Sequence, residues 1–208
     1  QLQVVAGASA ILDRYGRVVD LLRKDGFSID EEVYMIVEGE TPSTMAQSTG
    51  MGLISLPTTF LRLKPDVVLT VGDRYETMAT TLAAAYMNIP IAHTMGGEVT
   101  GTIDESIRHA VTKFAHIHFA ASQDAAKRIV KLGERPEMVF NVGCPRMDLV
   151  KDILDSNPAI NSAELLKEGV GAYNLDLDQP FLLVSQHPVT TEYGAGERQI
   201  TSTLQAAS

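Results

Sequence analysis

The chain has 208 residues, with 17 Lys and Arg against 26 Asp and Glu, so its formal charge is −9. At 45% hydrophobic and 21% charged it can bury a sizeable core, which excludes a disordered tail. The acidic excess, without any Lys/Arg cluster, excludes a nucleic-acid polymer as partner, because phosphate neutralisation needs clustered cations.

In chain order, a strand is expected at Leu2–Val5, then a helix over Ile11–Lys24 that interior Gly16 weakens by about 1 kcal/mol relative to alanine. A strand at Val33–Val37 leads to a helix over Pro42–Ile54, which Thr41 can cap and Pro42 can open without losing a needed N–H. The strand Val67–Val71 is followed by a helix over Tyr75–Met87, ended by Pro90. Then come strand Ile91–Met95, helix Ile103–Phe114, strand Ile117–Ala121, helix Gln123–Leu132 and strand Met138–Val142. Most of these strands are apolar on both faces, as buried parallel strands are, and the alternation with helices predicts a doubly wound α/β domain. The tract Asp155-Ser156-Asn157-Pro158 breaks the rhythm, and Phe181–Ser185 reads as the opening of a second sheet. The expected layout is a Rossmann-like domain over 1–155, a linker or helix over 156–178, and the start of a second domain over 179–208.

The single cysteine, Cys144, has no partner for an internal disulfide, which fits a reducing compartment. No apolar stretch approaches the roughly 20 residues needed to cross a bilayer, and no signal-peptide pattern opens the chain. A soluble, cytoplasmic protein is expected, with no membrane partner.

In open α/β sheets ligands bind beyond the carboxyl ends of the strands. Gly72-Asp73-Arg74-Tyr75-Glu76 follows the strand Val67–Val71, and a glycine- and acid-rich loop, Gly96 to Ser106, follows Ile91–Met95. Glycines there let backbone N–H groups approach an anion, and the helix start at Ile103 adds partial positive charge. A third loop, Gln186-His187-Pro188-Val189-Thr190-Thr191-Glu192, follows Phe181–Ser185. Each feature also has a plain structural reading: Asp104 as a helix cap, Asp73 and Arg74 as a surface pair, Glu98 as a solvated loop residue. Their convergence on one crevice favours a functional site. His93 reads as a hydrogen-bonded core residue, His116 and His118 as structural, and His109 fits either role. Cys144 reads as structural, and Met78, Met87 and Met95 as core packing. Neither a Gly-x-Gly-x-x-Gly dinucleotide pattern nor a Walker A loop is present, and no metal-ligand cluster is visible, so neither cofactor nor metal is expected.

Gly72-Asp73-Arg74, Met87 to His93, the run Gly96 to His109, Gly143-Cys144-Pro145 and Gln186 to Thr191 together resemble the hydrolysing UDP-N-acetylglucosamine 2-epimerases. These are the sialic-acid-pathway enzymes of bacteria and the epimerase half of the animal bifunctional enzyme. The resemblance runs in order over nearly the whole chain. It implies the two-domain GT-B fold, with a UDP-sugar in the cleft, and places this chain as the first domain plus the opening strand of the second. The family's first strand, with its Gly-Thr-Arg-type loop, and most of its second domain are then missing from this sequence. It implies catalytic positions at Asp73, Asp104 and His187, with Glu98 a further acid nearby. Arg74, Gly96, Gly97, Ser106, Arg108 and His109 are then on the substrate side, Arg74 and Arg108 as charge stabilisers. Family members are generally homo-oligomers. One departure is Met95, which stands before the paired glycines where the sialic-acid enzymes usually carry Glu; a thioether cannot move a proton. That change fits an altered proton relay, a sugar-nucleotide-binding homologue without turnover, or a different substrate. In the last respect the chain resembles the branch acting on UDP-N,N'-diacetylbacillosamine in legionaminic acid synthesis, as do its Val5 to Ser9, Asp13 to Gly16 and Arg74 to Thr77 segments.

Overall fold

A computed structural model of the chain describes residues 1–39, 41–158, 179–187, 189, 192 and 194–207. They form two compact units, Gln1–Cys144 and Pro145–Ser208.

The first unit is α/β throughout. Its elements are β1 (Val5–Gly7), α1 (Val18–Lys24), β2 (Glu31–Val33), α2 (Pro42–Leu63), β3 (Val68–Val71), α3 (Tyr75–Tyr86), β4 (Ile91–Thr94), α4 (Ile103–Phe114), β5 (Ile117–Ala120), α5 (Gln123–Lys131) and β6 (Val139–Asn141). All pairings are parallel, as crossover helices require, but the strands do not form one continuous sheet. β1 pairs with β2 alone, and β3-β4-β5-β6 form a separate sheet. Between β1 and β3 lies a cavity of about 750 Å³, lined by Val5, Val33 and Met35 on one side and Val68 to Val71 on the other. Leu69 and Val71 line that opening and are exposed, so β3 is buried on one face only, contrary to the expectation of strands buried on both faces.

The helices differ from expectation where local and tertiary forces compete. The helix expected from Ile11 begins only at Val18. Gly16 adopts φ +77°, a left-handed conformation that interrupts the helix, and Ala8–Ile11 and Asp13–Tyr15 are 3₁₀ turns. α2 starts as expected: the Thr41 hydroxyl accepts the Thr44 N–H at 3.1 Å, and Thr44 Oγ1 accepts the Thr41 N–H at 2.9 Å. It then runs past Ile54 and through Pro57, although an interior proline costs about 3 kcal/mol. Leu56 and Phe60 are buried with Leu53 packed beside them, and full burial of each large apolar side chain contributes about 1.5–3 kcal/mol. That packing holds the helix together. The main core joins Val33, Met35, Leu56, Phe60, Val68, Ala79, Ala83 and Ile91, and a second cluster seats α5 through Ala125, Ala126 and Ile129.

The second unit contains α6 (Pro145–Ser156) and α7 (Gly196–Ala207). Phe181–Ser185, expected as a strand, is exposed and pairs with no other described strand, and without a pairing neighbour an apolar run cannot form a ladder. Of the third loop, residues 188, 190 and 191 lie outside the described residues, as do 159–178 of the expected linker.

Candidate active site

Because β3 and β4 are adjacent and parallel, the loops after them emerge at the same edge. The short β3–α3 turn carries Gly72, Asp73 and Arg74; the longer β4–α4 loop carries Met95 to Thr102. Arg108, in the second turn of α4, ties the two together. Its side chain is 3% exposed. Nη1 donates to the Glu98 carbonyl at 2.8 Å, and Nη2 donates to the Asp73 carboxylate and to Thr100 Oγ1 at 3.4 Å. A buried guanidinium is tolerated only when paired and hydrogen-bonded, so these contacts fix the Asp73 carboxylate and the loop backbone as one assembly.

The surface pair Asp73–Arg74 does not form. Arg74 is 58% exposed, pairs with Glu76 at 3.2 Å, and lies over the Tyr75 ring with its guanidinium carbon 5.7 Å from the centroid. An exposed planar fork at this edge suits a phosphate.

Asp104 is the second residue of α4, one position inside the Ile103 helix start, so it is not the N-cap; Thr102 is. Burial first, and then the charge of Asp73, push its carboxyl above the usual range, against the pull of Arg74 and Arg108. Burial likewise pushes Glu76 up, and its Oε2 is buried without a hydrogen-bond partner. Glu76 is absent from the sequence-derived candidates. Its only signal is an acid one turn after Asp73, which ordinarily reads as a helix N-terminal charge. Carboxyls that burial raises above their ordinary range are suited to acid–base work at an unactivated carbon.

The glycines serve packing more than ligand approach. A Cβ on Gly97 would stand 2.3 Å from the Ala125 carbonyl oxygen, and Arg128 donates to the Gly97 carbonyl. A Cβ on Gly96 would stand 3.1 Å from the His93 Nδ1. The Thr100 and Gly101 N–H groups, expected to face an anion, donate to Glu105 Oε2 at 2.7 and 2.6 Å. The Gly101 and Thr100 N–H groups hold that carboxylate below its usual range.

Of the other candidates, Ser106 is exposed on α4, and Glu98 is half-buried. His109 is also half-buried, with Nε2 3.7 Å from Glu105 and a buried Nδ1 lacking a partner. His93 is the hydrogen-bonded core residue expected, fully buried with Nε2 2.8 Å from the Gly72 carbonyl. His118 is buried 3.5 Å from Glu134, whereas His116 is exposed and accepts the Ile91 N–H, so the two imidazoles occupy different environments. The Cys144 thiol is free. Met95 adopts φ +62°, left-handed for a side-chain-bearing residue, and its N–H donates to the Phe119 carbonyl at 2.9 Å. His187 is exposed and belongs to the second unit. The structure therefore gathers Asp73, Glu98, Thr100 and Arg108, with Asp104 and Glu76 in electrostatic reach.

Residues 1–208 match the protein family described as UDP-N-acetylglucosamine 2-epimerase. The chain belongs to that family. A UDP-N,N'-diacetylbacillosamine 2-epimerase (hydrolyzing) of Legionella pneumophila is 35% identical over 93% of this chain and 49% of its own length. A GDP/UDP-N,N'-diacetylbacillosamine 2-epimerase (hydrolyzing) of Campylobacter jejuni is 30% identical over 98% of this chain and 51% of its own. The chain thus spans about half the length of the curated relatives it matches. The crystal structure of UDP-GlcNAc 2-epimerase from Neisseria meningitidis bound to UDP-GlcNAc superposes with a TM-score of 0.63 over 74% of this chain and 42% of that one, at 23% identity. A Listeria monocytogenes structure gives 0.65 over 81% and 44%, also at 23%. The fold is that of the GT-B-like epimerases. No helix among the described residues is long and apolar enough to cross a membrane.

Proposed function

We propose that this chain is the substrate-facing part of a hydrolysing UDP-HexNAc 2-epimerase. The reaction takes UDP-GlcNAc, or its diacetylated analogue, and water to UDP and the free 2-epimeric sugar, N-acetylmannosamine in the first case. A base removes the C2 proton as the C1–O bond to UDP breaks, leaving a glycal. Water then adds its oxygen at C1, and a proton returns to C2 from the opposite face. Inversion at C2 needs an acid/base group on each side of the ring, and Asp73, Asp104, Glu98 and His187 are the groups offered for it. Arg74 is offered to the diphosphate. The observation carrying this reading is Asp104, raised in the first turn of α4, beside the Arg108-bound Asp73 of the β3–α3 turn.

For the substrate, the two hydrolysing relatives that match nearly the whole chain support UDP-N,N'-diacetylbacillosamine over UDP-GlcNAc. A homo-oligomer in the cytoplasm, acting without cofactor or metal, belongs to the same reading. Incubating the full-length protein with each UDP-sugar in deuterated water should release UDP and place deuterium at C2 of the product. No UDP and no label from either substrate would overturn the reading. Retention of UDP on the product would indicate a non-hydrolysing epimerase instead.

Met95 favours one second reading, a homologue that binds UDP-sugar without turnover. Tight binding by calorimetry, no UDP release, and activity restored by Met95→Glu would establish it.

A further inference from the structure

We propose that His93 is a positioning residue for Asp73, fixing the Gly72–Asp73 turn through its Nε2–H. The inference rests on the epimerase reading above.

His93 sits on β4, one strand away from the turn it holds, and is fully buried. Gly72 O can only accept, so the 2.8 Å contact makes Nε2 the protonated nitrogen of the ring. The other nitrogen, Nδ1, lies 3.5 Å from Thr112 Oγ1 on α4. Thr112 Oγ1 in turn donates to the carbonyl of Arg108 at 2.9 Å, and the Arg108 guanidinium holds the Asp73 carboxylate. Two holds thus converge on Asp73: the Arg108 guanidinium of α4 holds its carboxylate, and His93 of β4 holds the carbonyl of the residue before it. Gly96 is part of the arrangement, since any side chain there would press on the imidazole at 3.1 Å. Burial keeps this imidazole neutral, its pKa lowered to about 4, so the Nε2–H donor persists across the neutral range.

A core residue needs only to fill space; a positioning residue needs its donor. The test compares His93→Gln, which keeps an N–H near the Nε2 position, with His93→Leu and His93→Asn, which do not. Steady-state UDP release by the full-length protein is measured for each, alone and combined with Asp73→Asn. Misplacing a catalytic group by about 1 Å costs on the order of a hundredfold in rate. His93→Leu is accordingly expected to lower kcat about a hundredfold with KM within about threefold, and His93→Gln to recover most of it. In the Asp73→Asn background, His93→Leu should cost little more, because the group it positions is already gone. If His93→Leu fails to fold, the Gln and Asn pair decides, with Gln active and Asn at least tenfold slower. Equal activity of the Leu variant, equal loss in Gln and Leu, or full additivity with Asp73→Asn would overturn the positioning role alone. A wild type that releases no UDP would overturn the epimerase reading and the role together.

Discussion

Replacing Gly97 by alanine is expected to destabilise the first unit, and the cost can be worked from two separate causes. Gly97 has φ +78°, where an L-residue costs about 1–2 kcal/mol. Its new Cβ would also stand 2.3 Å from the Ala125 carbonyl oxygen and 2.8 Å from Ile129 Cγ1. Neither is the free end of a flexible chain: one is helix backbone, the other a fully buried side chain. Relieving the overlap means moving α5 or the β4–α4 loop, and overpacking of this kind typically costs about 1–3 kcal/mol. Shifting α5 would also weaken the hydrogen bond from Arg128 to the Gly97 carbonyl. The sum is about 2–5 kcal/mol, or roughly 4–20 °C in melting temperature at about 2–4 °C per kcal/mol for a protein of this size. Gly101→Ala is the control, since Gly101 has φ +72° but nothing within 4 Å of its would-be Cβ. It should lose only the conformational part. Urea titration of both variants followed by circular dichroism gives the difference. Unfolding free energies for Gly97→Ala and Gly101→Ala that agree within about 0.5 kcal/mol would show that the close approach to α5 carries no energetic weight.

Other outcomes follow from the same geometry. Arg108→Leu should cost about 1–3 kcal/mol in chemical denaturation, because it removes the charge-assisted hydrogen bonds that tie the half-buried Asp73 carboxylate and the Glu98 carbonyl to α4, and it should also abolish UDP release; a loss below about 0.5 kcal/mol would refute the tie between the two loops. Asp104→Asn should leave the melting curve intact while UDP release falls to background, and unchanged turnover removes Asp104 from the mechanism. Glu76 holds its proton more tightly when folded, so its contribution to stability is complete at low pH and is lost as pH rises through the raised folded value. Glu76→Gln should therefore melt higher than wild type at pH 8 and no higher at pH 4; a lower melting point at pH 8 refutes the assignment. The cavity between β1 and β3 lies in the gap between the two parallel sheets, where one further strand would pair with β3. The Val68 and Gly72 N–H groups bond toward β4, so by alternation those of Leu69 and Val71 face the cavity. Hydrogen exchange on the full-length protein should find these two amides protected by such a strand; fast exchange at both would exclude it.

Much of the fold is legible in the sequence, because a parallel strand between crossover helices announces itself locally. β4, α4 and β5 carry period and end signals within a few residues, and Thr41-Pro42 specifies the start of α2 by its own hydrogen bonds. The end of α2 is not legible, since Pro57 argues locally for termination and is outweighed by burial of Leu56 and Phe60 against distant strands. Gly16 shows the converse, where a local preference for the left-handed region stops a helix that the apolar spacing would extend.

The α/β class, the loops at the strand ends and the family are all written in the residue types of the runs around Asp73 and Asp104. What each of those residues touches depends on packing; the fold supplies it. It sent Asp73 to Arg108, 35 positions away, and left Arg74 exposed; it turned two loop N–H groups onto Glu105; and it set the buried His93 imidazole against the Gly72 carbonyl. The reason is that a charge buried between elements takes its partner from whichever packed neighbour can satisfy it, and that neighbour is set by strand order and helix placement, which sequence spacing does not encode.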